Sequence, residues 1–308
     1  MAKSSGPKRG RALSRLAVAA IAAALVGATA GSAVADTPAP APLKSVDQDG
    51  FSQAVPQNGT LAAGAAAPVH ALFAMDKYGD LYAYGPNGRG GLTAREYVTS
   101  GWDVFRGSAQ ADHDGDGSAD GVYSWDKQGY LYYSSEAEPL TLGRGWDAYD
   151  KIVVAGNLGG TTPADVLARD KAGVLWFYKG KADGTLSART KVGSGWQAFN
   201  QILGQGDLSG DGRADVVTRD KSGVLWLYKG TGNAAAPFAK GTKVGGGWGA
   251  FNYLVSTGDL TMDGRTDLIA RDSAGALWRY NGTGNAAAPF AKPTKIGTSG
   301  WNGYTLMF

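Results

Sequence analysis

Short alternating runs dominate the sequence from Val69 onward and predict β-strands rather than helices. In one unit of the chain four such runs follow each other: FNQILGQGD, ADVVTRD, GVLWLYKG and AKGTKVG. The third run alternates two leucines on one face with Trp226 and Tyr228 on the other. Apolar residues on both faces are typical of a strand packed between two sheets. The pattern therefore predicts an all-β fold of stacked sheets.

Three sequence markers each recur five times. Gly-Trp pairs follow one another at intervals of 44 to 53 residues, and an Asp that closes a short apolar run recurs at intervals of 44 to 52. An aromatic strand such as GVLWLYKG follows each Asp. Four strands in a unit of roughly 40–50 residues indicate a β-propeller blade, so we predict a five-bladed β-propeller of four-stranded blades. The markers are Trp102, Trp146, Trp196, Trp248, Trp301, Asp76, Asp126, Asp170, Asp220 and Asp272.

The end of the chain predicts how the ring closes. The last segment, WNGYTLMF, matches the start of a unit, and the first unit lacks a good version of that strand. Pairing of the two would remove open sheet edges. The alternative is an open solenoid, or a larger ring to which residues 45–67 add a degenerate blade. The predicted repeats are 68–102, 103–146, 147–196, 197–248 and 249–302, with a closing strand at 303–308 in a propeller of 68–308.

The first 67 residues have a different composition. Five basic residues within the first fifteen precede an apolar run and an Ala-Val-Ala site before Asp36, which indicates a secretory signal peptide at 1–35. A membrane anchor is the alternative, but the run is short for a span. Residues 36–67, rich in Ala, Pro and Gly, predict a flexible linker or docking arm. We therefore expect a secreted protein without a membrane span.

Charge and composition exclude several classes of function. The chain carries 30 basic and 27 acidic residues, and removing the five basic residues of the signal peptide leaves a net charge of −2, which argues against nucleic-acid binding. No cysteine and only two histidines are present, which excludes thiolate chemistry and leaves little for histidine metal sites. Neither a G-x-S-x-G nor an H-E-x-x-H motif occurs, so we predict that the protein is not an enzyme.

An acidic loop lies between the first two strands of several blades. Oxygen-bearing side chains recur at positions 1, 3, 5 and 9, with Gly at position 6, and position 7 can offer a backbone carbonyl. This pattern suits Ca²⁺, which takes six to eight oxygen ligands; plain Asp-Gly turns are the alternative. Blade 3 has lost most of these residues. The predicted ligands are Asp112, Asp114, Asp116, Ser118 and Asp120 in blade 2; Asp207, Ser209, Asp211, Arg213 and Asp215 in blade 4; and Asp259, Thr261, Asp263, Arg265 and Asp267 in blade 5.

Aromatic residues form the second candidate site. Tryptophan and tyrosine faces can stack on a pyranose ring in shallow pockets between blades. Residues repeated in every blade can instead serve blade packing, and both alternatives stay open here. We expect sugar sites mainly between blades 3, 4 and 5, where the repeats are close copies. The candidate residues are Trp196, Trp248, Trp301, Trp226, Tyr228, Trp278 and Tyr280.

Two resemblances cover roughly residues 69–308. The stretch GDLSGDGRADVVTRD resembles the FG-GAP/VCBS class of propeller repeats found in secreted bacterial and surface proteins. The segments ARTKVGSGWQAF, GTKVGGGWGAF and PTKIGTSGWNGY resemble the tachylectin-2 type of five-bladed propeller lectin. That resemblance implies binding of N-acetylated sugars, one pocket per blade. Its acidic-amide-Trp stretch is replaced here by GNAAAPFAK, so its ligands cannot be carried over.

Three functions are compatible with the sequence. The first is a secreted lectin-like propeller that binds cell-surface or cell-wall carbohydrate, with calcium-stabilised loops. The second is a protein-interaction propeller that serves as the target-recognition subunit of a secreted complex, such as an antibacterial toxin. The third is an enzyme, for which no blade-specific acid–base pair is present. The first is favoured, and the second is compatible with it.

Overall fold

The repeats fold into antiparallel strands because their apolar runs are separated by Gly-containing turns. The computed structural model describes residues 67–137 and 139–308. Within them five four-stranded sheets form, and in each the neighbouring strands pair antiparallel. The strands are β1 Leu72–Asp76, β2 Leu81–Tyr84 and β3 Glu96–Thr99; β4 Phe105–Ala111, β5 Gly121–Asp126, β6 Tyr130–Ser135 and β7 Leu140–Arg144; β8 Tyr149–Val154, β9 Val166–Asp170, β10 Leu175–Tyr178 and β11 Thr190–Gly193; β12 Phe199–Gly206, β13 Asp215–Asp220, β14 Leu225–Tyr228 and β15 Thr242–Gly245; β16 Phe251–Gly258, β17 Asp267–Asp272, β18 Leu277–Tyr280 and β19 Thr294–Gly297; and β20 Tyr304–Met307.

Strand β20 closes the ring. It pairs antiparallel with β1, where Leu306 lies opposite Met75, and the sheet order β20-β1-β2-β3 makes it the first strand of blade 1. Blades 2 to 5 are β4–β7, β8–β11, β12–β15 and β16–β19. Phe308 is buried, and its ring stacks 5.3 Å from that of Phe73 and 6.2 Å from that of Trp102. The prediction of a closed, five-bladed propeller is confirmed.

The core lies between the sheets. Leu225 and Leu227 of β14 are fully buried, and they belong to a cluster that includes Leu254 of the next blade. Similar clusters join the other neighbouring blades. Burial on both faces explains why these strands are apolar on both sides.

The Gly-Trp marker forms a single 3-10 turn between blades. Its glycine takes a left-handed conformation, with φ of 91° at Gly247, and the tryptophan begins the turn. A buried arginine of the preceding blade holds this turn: Arg219 donates to the backbone carbonyl of Trp248 at 3.0 Å. The matching contacts are those of Arg169 with Trp196 and Arg271 with Trp301. The marker therefore fixes one blade against the next.

Two predictions concern residues that the structure does not describe. The signal peptide at 1–35 and residues 36–66 of the predicted linker lie outside the described part of the chain. Among the described residues, no helix is long and apolar enough to cross a membrane.

Candidate functional site

The acidic loops are shaped by their first and ninth positions. In blade 2, Asp112 accepts hydrogen bonds from the N–H groups of Gly115 and Gly117 at 2.7 and 2.9 Å. Asp120 accepts from those of His113 and Asp114 at 2.6 and 3.0 Å. Burial, opposed by the two glycine N–H groups, raises the pKa of Asp112. These two carboxylates therefore organise the backbone of the loop.

The other loops use the same two positions. In blade 4, Asp215 is fully buried and accepts from Leu208, Ser209 and Gly230, and burial raises its pKa. Blade 3 keeps this arrangement with Asp165 although it lacks acidic residues at positions 3 and 5. Positions 3 and 5 are therefore the ones that distinguish a metal site from a plain turn.

The structure brings three carboxylates together in two loops. One oxygen from each of Asp112, Asp114 and Asp116 lies within 4.8 Å of the others. A second such group is formed by Asp207, Asp211 and Asp215, but there Lys229 pairs with Asp211 at 3.1 Å. Among the described residues, blade 5 does not form such a group, although its loop contains Asp259, Asp263 and Asp267. Ser118, Ser209, Thr261, Arg213 and Arg265 lie in the same three loops.

The predicted aromatic candidates contribute mainly to packing. Trp196 and Trp248 are buried, each 7% exposed. Between blades 3 and 4, the ring of Phe238 lies 6.0 Å from that of Trp196 and 6.2 Å from that of Tyr228. Phe290 packs in the same way on Trp248 and Tyr280. Trp226 and Trp278 are half-buried and donate their indole N–H to Asp220 and Asp272, and Trp301 packs on Tyr84.

A polar cleft lies instead between blades 2 and 3. Its volume is about 580 Å³. Trp146 and Tyr149 are buried beneath it, whereas Tyr178 and Leu186 are half-buried at its side and Arg189 is exposed at its rim. The lining residues are Thr141, Leu142, Arg144, Gly145, Trp146, Tyr149, Tyr178, Thr185, Leu186, Ser187 and Arg189.

Hydrogen bonds fix the polar side of this cleft. Arg189 donates from Nη1 to the hydroxyl of Tyr149 at 2.6 Å, and that hydroxyl lies 2.6 Å from the hydroxyl of Tyr178. The guanidinium also lies 4.1 Å from the ring centroid of Trp176. Burial and the hydrogen bond with Tyr149 raise the pKa of Tyr178, so its hydroxyl stays neutral. The arrangement presents fixed hydrogen-bonding groups beside apolar walls.

The same residue types meet between blades 5 and 1. The hydroxyl groups of Tyr84 and Tyr304 are hydrogen-bonded to each other, and Arg95 hydrogen-bonds to Tyr304. The guanidinium of Arg95 lies 4.8 Å from the ring centroid of Tyr82. Leu92 takes the place of Leu186, since each pairs in an isolated bridge at the same point of its blade.

Sequence analysis did not select the cleft residues. The sequence contained two signals. The segments WDAY and WNGY lead into blades 3 and 1, whereas WQAF and WGAF lead into blades 4 and 5. The stretches SAR in blade 3 and TAR in blade 1 occur where blades 4 and 5 have AKG and AKP. The expectation of sugar sites between blades 3, 4 and 5 stays a prediction. The polar cleft that the structure presents lies one blade earlier.

A second cavity, of about 480 Å³, lies among the acidic loops of blades 2, 3 and 4. Pro68 and His70 reach it from the start of the described chain. His70 is buried, its Nδ1 lies 3.2 Å from the amide nitrogen of Gln205, and burial lowers its pKa to about 4. The histidine is therefore neutral at physiological pH.

The comparisons with known structures concern the fold. The chain is similar to Prp20p of Saccharomyces cerevisiae, at 13% identity over 74% of this chain and 61% of the yeast protein, with a TM-score of 0.37. It is also similar to BP39L lectin of Burkholderia pseudomallei, at 14% identity over 78% of this chain and 74% of the lectin, with a TM-score of 0.46. The lectin of Aleuria aurantia, whose structure contains alpha-methyl-L-fucoside, aligns at 12% identity over 76% and 79%, with a TM-score of 0.40.

The family comparison concerns one part of the ring. No curated protein matches the sequence. The aligned region spans about three fifths of the first structures it matches, 61% and 59% of their lengths. The model of the FG-GAP-like repeat matches residues 207–270, from the acidic loop of blade 4 into β17, which confirms that resemblance. Residues 207–270 therefore match an FG-GAP-like repeat, and they lie within a five-bladed β-propeller.

Proposed function

We propose that this protein is a secreted, non-catalytic, lectin-like propeller that binds cell-surface or cell-wall carbohydrate. The observation that carries the proposal is the cleft between blades 2 and 3, with its apolar walls and fixed Arg-Tyr-Tyr hydrogen bonds. Secretion rests on the basic and apolar pattern of residues 1–35. Amino-terminal sequencing of the protein from culture medium should begin at Asp36; a start at Met1 would contradict secretion by cleavage.

The cleft suits a sugar by size and by chemistry. Its volume of about 580 Å³ falls in the usual range of small-ligand pockets. Tyr178, Leu142 and Leu186 offer surface for the apolar face of a pyranose ring, while Thr185 and Ser187 add hydroxyl groups at the rim. The similar residue set between blades 5 and 1 would give a second site on the same molecule. Two sites would raise avidity on a repetitive glycan surface.

Blades 4 and 5 provide the design of the test, because they carry Phe where blades 1 and 3 carry Leu. In Leu186→Phe the new ring should pack on Trp146 and Tyr178, as Phe238 does on Trp196 and Tyr228. A glycan and cell-wall polymer array would first identify a ligand. Calorimetry should then find two sites per chain, one in L186F and none in the double variant with L92F. Phe238→Leu is the control and should not weaken binding.

Two outcomes would contradict the proposal that the cleft binds a sugar. Unchanged stoichiometry in the double variant would move the sugar site elsewhere on the propeller. A blank array from folded protein would overturn carbohydrate binding itself. It would favour the alternative of a recognition subunit in a secreted protein complex, and co-purification from culture medium would then be the next experiment.

We further propose that Ca²⁺ stiffens the acidic loops of blades 2 and 4. All the donors there are oxygen atoms, which suits this ion, and the glycine at position 6 allows the sharp turn, with φ of 88° at Gly117 and 81° at Gly212. Asp112, Asp114 and Asp116 would hold the ion in blade 2. In blade 4 the ion would compete with the ammonium group of Lys229 for Asp211.

Position 5 offers a matched pair of variants for the calcium proposal. Asp116 and Asp263 each accept a hydrogen bond from the N–H two residues later, and Asn can keep that bond. We expect two ions per chain at millimolar calcium, one fewer in Asp116→Asn and no change in Asp263→Asn. Chelator should lower the melting temperature, since an ion that binds only the folded state stabilises it. Equilibrium dialysis that finds no bound calcium would leave these loops as plain Asx turns.

A further inference from the structure

Positive charge gathers in the cleft between blades 2 and 3. Arg144 and Arg189 line it, and no Asp or Glu occurs among its described lining residues. Two cations elsewhere in the described chain have carboxylate partners: Arg169 pairs with Asp150 and Lys229 with Asp211. Two guanidinium groups and no carboxylate among the lining residues favour an anionic group on whatever occupies the cleft. The carboxylate of Asp170, which accepts the indole N–H of Trp176, also interacts with Arg189.

The guanidinium of Arg189 is held in place with donors to spare. It hydrogen-bonds to Tyr149 and lies against the ring of Trp176, and these two contacts restrict its position. A guanidinium carries five N–H donors, more than the two neighbouring tyrosine hydroxyls can use. Pre-organised donors at the rim of an apolar-walled cleft can meet both oxygens of a carboxylate at once.

Four junctions between blades carry a packed Trp and Tyr pair, and an arginine accompanies the pair at two of them. Arg189 lies at the junction of blades 2 and 3. Arg95 occupies the matching place between blades 5 and 1. At the equivalent position blade 4 has Gly241 and blade 5 has Pro293, and there the clefts are packed by Phe238 and Phe290. The arginine therefore occurs where the bridging residue is Leu186 or Leu92, and not where it is Phe238 or Phe290.

We propose that the cleft between blades 2 and 3 binds a sugar that carries a carboxylate, such as a uronic acid, and that Arg189 recognises the carboxylate. We propose the same role for Arg95, which has the matching position and tyrosine neighbours between blades 5 and 1. This inference rests on the proposed function and narrows it to acidic glycans. In this proposal the sugar ring packs on the apolar side chains of the cleft. Its carboxylate accepts hydrogen bonds from those guanidinium N–H groups that the tyrosine hydroxyls do not use. In the cleft between blades 2 and 3, Arg144 adds a second positive charge.

The test compares a uronic-acid oligosaccharide with the same oligosaccharide after its carboxyl groups have been reduced to alcohols. Calorimetry on the whole protein should show that the acidic form binds at least about tenfold more tightly, the usual range for a charged hydrogen-bond pair. Raised salt should narrow this ratio. The double variant R95Q/R189Q should lower this ratio several-fold, with the remainder due to Arg144. The control K171Q/K221Q, which removes two charges from exposed turns, should leave the ratio unchanged.

The outcomes separate this inference from the proposed function. Equal affinity for the acidic and reduced forms, or binding of neutral glycans alone, would overturn the preference for acidic sugars and leave carbohydrate binding intact. Binding of a glycerol-phosphate polymer but not of the uronic acid would replace the carboxylate with a phosphate and overturn the proposal. Folded protein that binds no sugar of any kind would end both. The wild-type comparison decides the matter even if R95Q/R189Q does not fold.

Discussion

The Asp that closes the second strand of a blade shows how one residue organises a hairpin. Asp220 accepts hydrogen bonds from the N–H groups of Ser222 and Val224 and from the indole of Trp226. Burial alone would raise the pKa of Asp220, but the hydrogen bonds from Ser222 and Trp226 outweigh it and lower this pKa to about 2. The side chain thus satisfies the turn between β13 and β14 and fixes the aromatic strand that follows.

The burial of His70 should make the stability of the protein depend on pH. An unfolded histidine takes up its proton near pH 6.5, whereas burial lowers the pKa of His70 to about 4. Between these values the unfolded chain binds more protons, so the free energy of unfolding should fall as the pH falls from about 6.5 to about 4, by on the order of 3 kcal/mol. His70→Gln, which cannot be protonated, should remove this share of the loss. Urea unfolding at several pH values measures it.

His113 should also contribute to the pH dependence of stability. Burial also lowers the pKa of His113, so the variant should flatten the pH dependence without abolishing it. Identical curves for wild type and His70→Gln would contradict the buried, neutral state of His70.

At the scale of single elements, the repeated residues could be recognised in the sequence, but the contacts that they make could not be predicted from it. Gly-Trp and Arg-Asp recur visibly, and the period alone predicts strands and blades. That Arg219 reaches the Trp248 turn of the next blade depends on two segments 29 residues apart in sequence being placed side by side. Likewise, the acidic spacing predicted the loops, while the pairing of Lys229 with Asp211 became visible only with β14 in place.

Two glycines of one acidic loop separate backbone strain from packing. Gly210 and Gly212 have nearly the same φ, 80° and 81°, so a side chain at either position should cost about 1–2 kcal/mol of strain. A Cβ at Gly210 would also lie 2.2 Å from the carbonyl oxygen of Gly284 in blade 5, whereas one at Gly212 would meet nothing within 4 Å. We therefore expect Gly210→Ala to lower the free energy of unfolding by roughly 2 kcal/mol more than Gly212→Ala does.

Denaturant unfolding of the two variants measures this difference. Equal losses would mean that the acidic loop of blade 4 does not pack against the 284 loop of blade 5 in solution.

At the scale of the whole molecule, the number of blades and the closing strand could be predicted because both follow from repeats in the sequence. The clefts could not, because they depend on three segments meeting across two blades. Trp146, Tyr178 and Arg189 come from the turn before β8, from β10 and from the loop before β11. Whether such a cleft stays open depends in addition on one side chain, Leu186 or Phe238, whose place is set by the fold.

Closure of the ring makes the last residues decisive for stability. Phe308 stacks on Phe73 and Trp102, so it ties β20 both to its own blade and to the turn that leads into blade 2. Phe308→Ala should cost about 3–5 kcal/mol, the usual loss for a buried aromatic residue. Thr305 lies exposed on the same strand, and Thr305→Ala should change stability by less than about 0.5 kcal/mol.

Unfolding curves of the two variants test whether the closing strand acts on the whole ring. If β20 closes the propeller, Phe308→Ala should move the entire unfolding transition, because opening blade 1 exposes the sheet edges and the core shared with blades 2 and 5. A separate early transition that involves blade 1 alone would show that the other four blades hold together without closure. A loss below about 1 kcal/mol would contradict the stacking of Phe308 in the core.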